Sequence, residues 1–123
     1  MSDLHWLTAA AAAGATHARK LSPVELTKAL LHRIDRLDPR LNVFTRLDGD
    51  AAIDAARAAE AEIAAGRPRG PLHGVPIGIK DIIDVAGLPT TCHSKILVDN
   101  VAAADPVCVS RLRSAGAVVL GKL

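Results

Sequence analysis

The sequence GPLHGVPIGIKDIIDVAGLPTT occupies residues 70–91 and contains the features that decide the fold. Glycine and proline flank a short apolar run, and this pattern predicts a buried strand with its turn over residues 75–83. Lys80 lies at the C-terminal end of this run, and Asp81 follows directly. Lys80 is therefore either a structural anchor or a reactive group.

Alternation along an extended segment places Ile77 and Ile79 on one face and Gly78 and Lys80 on the other. Because Gly78 has no side chain, it leaves room beside the lysine for another backbone or a ligand. A solvated lysine has a pKa near ~10.4 and is a poor base at neutral pH. Burial among the neighbouring apolar residues would favour neutral Lys80, which could then accept a proton.

The alternative for Lys80 is a purely structural role. A lysine at the end of a strand commonly extends its ammonium group to water, or pairs with a nearby acid such as Asp81 or Asp84. The local pattern alone favours this structural role.

Three helices are predicted before the central stretch, over residues 4–20, from residue 23, and over about residues 50–65. The second begins with the capping box SPVE at residues 22–25 and should stop at Asp38 and Pro39, since proline disfavours a helical residue before it. Residues 41–46 alternate and predict a short extended strand.

The second half of the chain alternates between strand and helix. Residues 106–115 predict a helix and residues 117–120 a second buried strand, which favours an α/β architecture. We therefore expect N-terminal helices followed by the first strands of a mixed sheet covered by helices. The continuous apolar run of the last strand requires cover on both faces, so we expect the chain to be cut within a domain.

Composition and charge exclude several functional classes. The net charge is +2 and the only aromatic residues are Trp6 and Phe44, so a basic stripe and a base-stacking platform are both missing. Cys92 and Cys108 are too few for a disulfide framework, which predicts a reducing, cytoplasmic location. No run is long enough to cross a bilayer and no secretion signal is recognisable. We expect no binding to nucleic acid or membranes.

Other side chains that could carry chemistry lack partners in the sequence. Cys92 and His93 are adjacent, so in an extended segment they would point to opposite faces, and Cys92 is interpreted as a buried thiol. Asp81 and Asp84 are interpreted as turn residues. The histidines show no metal-ligand spacing and are interpreted as surface or loop residues: His5, His17, His32, His73 and His93.

Residues 70–81 and 84–91 closely resemble the N-terminal part of the amidase signature family. The flanking segments 21–26, 41–44 and 105–122 are similar to the family's early helix, its short extended segment, and its helix and strand ending in Gly-Lys. The resemblance covers nearly the whole chain. It implies an incomplete amidase signature fold in one domain, helical over residues 1–66 and the start of an α/β core over residues 70–123.

The resemblance implies hydrolysis of carboxamide C–N bonds by a serine nucleophile, a second serine on a cis peptide, and a lysine. The lysine of the family's Lys-Asp pair is the catalytic one, and it corresponds to Lys80. In its neutral form it deprotonates the nucleophile through the second serine and later returns the proton to the leaving amine. The family resemblance implies no metal or cofactor, a small-molecule amide substrate, and a homodimer as one possible assembly.

Two departures from the family pattern limit this prediction. The Gly/Ser-rich signature that holds both serines is absent from the sequence, and neither Ser94 nor Ser110 has glycine-rich surroundings that expose backbone donors. Residues 92–94 read Cys-His-Ser where many members have small residues, which affects the substrate pocket. We therefore expect the chain to supply only the catalytic lysine and to be inactive alone.

Two other functions stay open. The first is the A subunit of a tRNA-dependent amidotransferase, which shares the signature and hands ammonia to a partner enzyme. The second is a non-catalytic, truncated module that binds or scaffolds a partner protein.

Overall fold

A computed structural model describes residues 3–123 of the chain. In chain order the elements are α1 (Ala9–His17), α2 (Pro23–Leu41), β1 (Arg46–Leu47), α3 (Gly49–Ala64), β2 (Pro76–Ile79), α4 (Val107–Ser114) and β3 (Val118–Lys122), with 3-10 turns at Leu4–Trp6 and Lys95–Leu97. The predicted α/β class, with helices preceding the first strands of a sheet, is confirmed.

The three strands form one mixed sheet with the order β1-β3-β2. The central strand β3 runs parallel to β2 and antiparallel to β1. Because β2 and β3 are parallel, their carboxyl ends meet at one edge of the sheet. Residues that directly follow β2 therefore lie beside the last residues of β3.

Both faces of β3 are covered by apolar side chains, and elements within residues 3–123 provide this cover, so the cover of β3 does not depend on a further part of the domain. On one face, Val118 and Leu120 pack against Ala52 and Ala56 of α3. On the other face, β3 and its neighbours form a cluster of Ile79, Val85, Leu88, Val109 and Val119. The sheet is thus enclosed between α3 with α2 on one side and α4 with the loop after β2 on the other.

The first predicted helix, over residues 4–20, is interrupted. Thr8 has an extended backbone, with φ −68° and ψ 157°, and its hydroxyl accepts a hydrogen bond from the Ala11 amide. A threonine side chain can cap a new helix in this way, so the chain forms a 3-10 turn and then α1. The prediction of one continuous helix was wrong because this capping bond competes with helix continuation.

Helix α2 begins as predicted, since the Ser22 hydroxyl accepts from the Val24 and Glu25 amides, each at 3.1 Å. Its predicted stop at Pro39 was wrong, because α2 continues to Leu41. The Asn42 amide, in the left-handed conformation at φ 50°, donates to the Asp38 carbonyl. This cap lets the last turn close around the proline.

The predicted strand at residues 41–46 was shifted along the chain. Leu41 belongs to α2, and β1 contains only Arg46 and Leu47. Conversely, β3 extends two residues beyond its predicted end, because Gly121 and Lys122 pair with both neighbouring strands. Gly121 is required there, since a Cβ would lie 2.1 Å from the Arg46 carbonyl oxygen.

His73 is buried at 1% exposure, so its interpretation as a surface residue was wrong. Its Nδ1 accepts a hydrogen bond from the Arg69 amide at 3.0 Å, and its Nε2 lies 3.3 Å from Glu62 Oε2. These contacts assign the neutral ring with its proton on Nε2. The ring also lies against Gly116, where a Cβ would be 2.2 Å from it. His73 therefore joins the end of α3 to the end of α4.

Candidate active site

Lys80 directly follows β2, and its side chain is exposed. The predicted alternation is confirmed, since Ile77 and Ile79 join the apolar cluster while Gly78 and Lys80 are exposed. Residues 3–123 do not supply the burial that would favour neutral Lys80, because the alternation that buries Ile79 directs its neighbour outward. The space beside Gly78 is taken by Leu123, whose Cδ1 would lie 2.8 Å from a Cβ at that position.

Asp81, in contrast, is fully buried and forms an ion pair with Lys122, the last residue of β3. Lys122 Nζ lies 3.1 Å from Asp81 Oδ1, and both side chains have 0% exposure. The interpretation of Asp81 as a turn residue was therefore incomplete. Lys80 itself forms no ion pair with any of residues 3–123.

Thr91 donates two further hydrogen bonds to Asp81. Its amide donates to Oδ1 at 3.1 Å, and its hydroxyl donates to Oδ2 in a very short contact. Burial alone would raise the pKa of the Asp81 carboxyl, but the bonds from Thr91 and Lys122 outweigh that effect and lower the pKa below its ordinary value. Asp81 is therefore an anion at neutral pH.

The remaining protons of Lys122 bind the loop after β2. Nζ donates to the Pro89 carbonyl at 3.1 Å and to the Thr90 hydroxyl at 3.0 Å. Together with Asp81 these bonds give the buried ammonium three acceptors, the number that it can use. The end of β3 thus fixes the loop that follows Lys80.

Cys92 and His93 adopt left-handed backbone conformations, with φ values of 49° and 57°. The expected extended geometry was therefore wrong, and so was the interpretation of Cys92 as a buried thiol, because both side chains are exposed. The Cys92 amide donates to the Asp81 carbonyl at 2.9 Å, and the His93 amide donates to the Thr91 hydroxyl at 3.0 Å. These backbone bonds hold the tight turn.

A surface cleft of about 390 Å³ lies next to this turn. Its lining residues are Thr45, Thr91, His93, Ser94, Lys95 and Val98. Ser94 is occupied as a cap, since its hydroxyl accepts from the Ile96 amide at 3.3 Å. Ser110 lies elsewhere, on α4. The two serines are not brought together with Lys80 in a shared hydrogen-bond network.

The sequence interpretation missed Lys122, although a signal was available. Lys122 closely follows the apolar run of residues 117–120, which the sequence predicts as a buried strand, and a buried strand can hold a charge only if it is paired. Asp81, at the end of the other predicted buried strand, is one acid that could pair with it. Thr91 could not have been found in this way, because its position depends on the loop.

Metal-ligand clusters and membrane spans are both missing from the described part of the chain. No group of three or more histidine, cysteine or acidic side chains that could hold a metal ion occurs within residues 3–123. No helix in the same range is long and apolar enough to cross a membrane.

Comparison with known proteins identifies the family. A family model described as Amidase matches residues 25–123. The A subunit of glutamyl-tRNA(Gln) amidotransferase from Acidothermus cellulolyticus is 46% identical over 122 residues, which span 99% of this chain and 24% of that protein. An acylamidase of Rhodococcus erythropolis is 41% identical over 98% of the chain and 25% of its own length.

The solved structures agree with this result. The native peptide amidase from Stenotrophomonas maltophilia superposes with a TM-score of 0.88 and 40% identity, over 95% of this chain and 24% of that one. The fold is thus that of an amidase-type α/β domain. The chain belongs to the amidase signature family, and it spans about a quarter of the length of the relatives it matches.

Proposed function

We propose that the chain is the amino-terminal part of an amidohydrolase that cleaves carboxamide C–N bonds. The observation that carries the proposal is the Lys80–Asp81 pair, in which Asp81 is occupied by Lys122 while Lys80 is exposed and unpaired within residues 3–123. Membership of the amidase signature family supports the same reaction class. The substrate would be a small-molecule amide, and the lysine chemistry requires no cofactor.

In the proposed mechanism Lys80 is the general base of a proton relay. Neutral Lys80 takes a proton from a serine on a cis peptide, which takes one from the nucleophilic serine as its oxygen attacks the carbonyl carbon. When the C–N bond breaks, the relay returns the proton to the leaving amine. Water then cleaves the acyl-enzyme by the same relay and releases the carboxylic acid. Both serines would come from the rest of the complete protein.

Contacts between the helical and the α/β segments support a single domain. We propose that the helical residues 1–66 and the α/β residues 70–123 belong to one domain, because β1 pairs with β3 across the chain and α3 packs against β3. Limited proteolysis of the complete protein tests this proposal. Cleavage between the two segments that leaves two stable products would contradict it.

The experiment that tests the function is an assay of ammonia release from simple carboxamides. We expect turnover by the complete protein and none by the 123-residue chain, which lacks the proposed serines. Turnover by the 123-residue chain alone would contradict the assignment of roles. Absence of turnover by the complete protein on any carboxamide would contradict the reaction class.

A second candidate is favoured by the relatives with the higher identities. Several are A subunits of glutamyl-tRNA(Gln) amidotransferases at 46% identity, compared with 41% for the acylamidase. In this case the complete protein would release ammonia from an amide for a partner enzyme. Glutamine-dependent transamidation by a co-purified complex would support this candidate, whereas hydrolysis by the isolated protein at full rate would favour the first.

A further inference from the structure

Two lysines lie at the same edge of the sheet, and they differ in solvent exposure. Lys80 follows β2 and is exposed, whereas Lys122 ends β3 and is fully buried. The strands are parallel, and Ile79 is paired with Lys122 in their register. Asp81 is the one buried carboxylate among residues 3–123, and at this edge it contacts Lys122 rather than its neighbour in sequence.

The hydrogen bonds of Asp81 explain why its carboxylate forms no ion pair with Lys80 among the described residues. Its carboxylate accepts from Lys122 Nζ, from the Thr91 amide and from the Thr91 hydroxyl. Its backbone is fixed as well, since its amide donates to the Leu123 carbonyl at 2.7 Å and its carbonyl accepts from Cys92. A rotation of the carboxylate toward Lys80 would break three charge-assisted or buried bonds.

A carboxylate next to a catalytic lysine would prevent that lysine from acting as a general base. An opposite charge within a few ångströms favours the protonated form of a lysine, which cannot accept a proton. We propose that Lys122 is a positioning residue that withholds the Asp81 carboxylate from Lys80, so that Lys80 has no counter-ion at this edge of the sheet. The catalytic meaning of this arrangement rests on the proposed amidase function.

Other charged groups on the surrounding elements do not replace Lys122. The charged or titratable groups are Arg46 on β1, Asp84 in the turn after β2, Cys92 and His93 on the loop, and Lys95 in the 3-10 turn that follows. All five are exposed, and none of them forms an ion pair with Asp81 or Lys80 among the described residues. Lys122 is therefore the group whose removal should release the carboxylate.

The test measures the reactivity of Lys80 directly. The complete protein is labelled with trace acetic anhydride over a pH series that spans the lysine range, and acetylation of the Lys80 peptide is quantified by mass spectrometry. The exposed residues Lys20 and Lys28, which lie away from this loop, serve as internal references. The variants are Lys122→Met, the double variant Asp81→Asn with Lys122→Met, and the control Val118→Ala, which alters the buried part of the same strand.

In Lys122→Met the two bonds from Thr91 keep Asp81 ionised. Its negative charge is then no longer paired with Lys122 and acts on Lys80. We expect the labelling midpoint of Lys80 to rise by about one pH unit, with the reference lysines unchanged. The double variant has no carboxylate to release and should return to the wild-type midpoint. An unchanged midpoint in Lys122→Met, or the same rise in Val118→Ala, would overturn the proposal.

The double variant also tests the proposal if Lys122→Met does not fold. It contains no unpaired buried charge, and replacement of both partners of a buried ion pair is commonly tolerated. If Asp81 were the counter-ion of Lys80 in the wild type, the double variant would lower the Lys80 midpoint by about one pH unit. If the Lys80 midpoint of the double variant equals that of the wild type, the proposal is supported. If it decreases by about one pH unit, the proposal is refuted.

The labelling result is independent of turnover. If Lys80→Ala retains full amidase activity, the proposed function fails although the labelling pattern can still be observed. If Lys80→Ala is inactive and the labelling midpoints do not move, only the role of Lys122 fails. If the proposed function and the role of Lys122 both hold, the acid limb of the kcat/KM profile of Lys122→Met should move to higher pH. The size of this change should equal that of the labelling midpoint.

Discussion

Lys122 Nζ lies 3.1 Å from Asp81 Oδ1, and neither side chain is exposed to solvent. This ion pair joins the central strand to the turn after β2, and Asp81 and Lys122 also bind Thr91 and Thr90 of the following loop. A buried pair of this kind is costly to break, because removal of one partner leaves the other charge without compensation.

We expect Lys122→Met to lower the free energy of unfolding by about 3–5 kcal/mol. The double variant, Asp81→Asn with Lys122→Met, should lose clearly less, because no charge is left unpaired. Urea denaturation of the complete protein gives both values. A double variant less stable than Lys122→Met would show that the pair is not the source of the loss.

The pair also predicts an acid-sensitive contribution to stability. The folded state lowers the pKa of Asp81 from its ordinary value of 3.8, so its contribution is fully present above that pH and is lost as the pH falls through the lower, folded value. Thr91→Val removes one of the stabilising bonds and should move the acid-unfolding midpoint to higher pH. Acid titration followed by circular dichroism measures this shift, and an unchanged midpoint would contradict it.

His73 predicts a second pH dependence, near neutrality. Burial lowers the pKa of His73 from 6.5, although the Glu62 carboxylate acts in the opposite direction. Since the buried ring is neutral, stability is fully present above pH 6.5 and decreases as the pH falls through the lower folded value. In His73→Asn, which keeps an acceptor for the Arg69 amide but does not titrate, this component of the pH dependence should disappear.

Urea midpoints on the two sides of the ordinary histidine pKa measure this effect. The control is His32→Gln, which removes a histidine on the surface of α2 and should leave the pH dependence as in the wild type. An equally steep loss of stability with acid in His73→Asn would assign the effect to another group.

Two glycines with similar backbones predict different costs of substitution. Gly66 and Gly116 have φ values of 74° and 82°, so alanine at either site costs about 1–2 kcal/mol in backbone strain. At Gly66 no atom lies within 4 Å of the added Cβ, but at Gly116 the His73 ring is 2.2 Å away. Gly116→Ala should therefore lower the melting temperature clearly more than Gly66→Ala, and equal losses would contradict the described packing.

The sequence predicted the elements whose signals are local. Ser22 and Pro23 fixed the start of α2, and the alternation around Gly78 gave the correct faces of β2. Predictions failed where a distant contact decides the outcome. The end of β3 depends on pairing with Arg46, the burial of His73 depends on Gly116, and the role of Asp81 depends on Lys122, which lies 41 positions away in the sequence (122 − 81).

The central claim is that Lys80 is the base of an amidase. The most direct measurement compares kcat for carboxamide hydrolysis by the complete protein with that of Lys80→Ala and of Lys28→Ala, a matched control at another exposed lysine, on α2. We predict that Lys80→Ala lowers kcat by about 10³-fold or more at unchanged thermal stability, while Lys28→Ala stays close to the wild type. Ordinary turnover by Lys80→Ala would contradict the account.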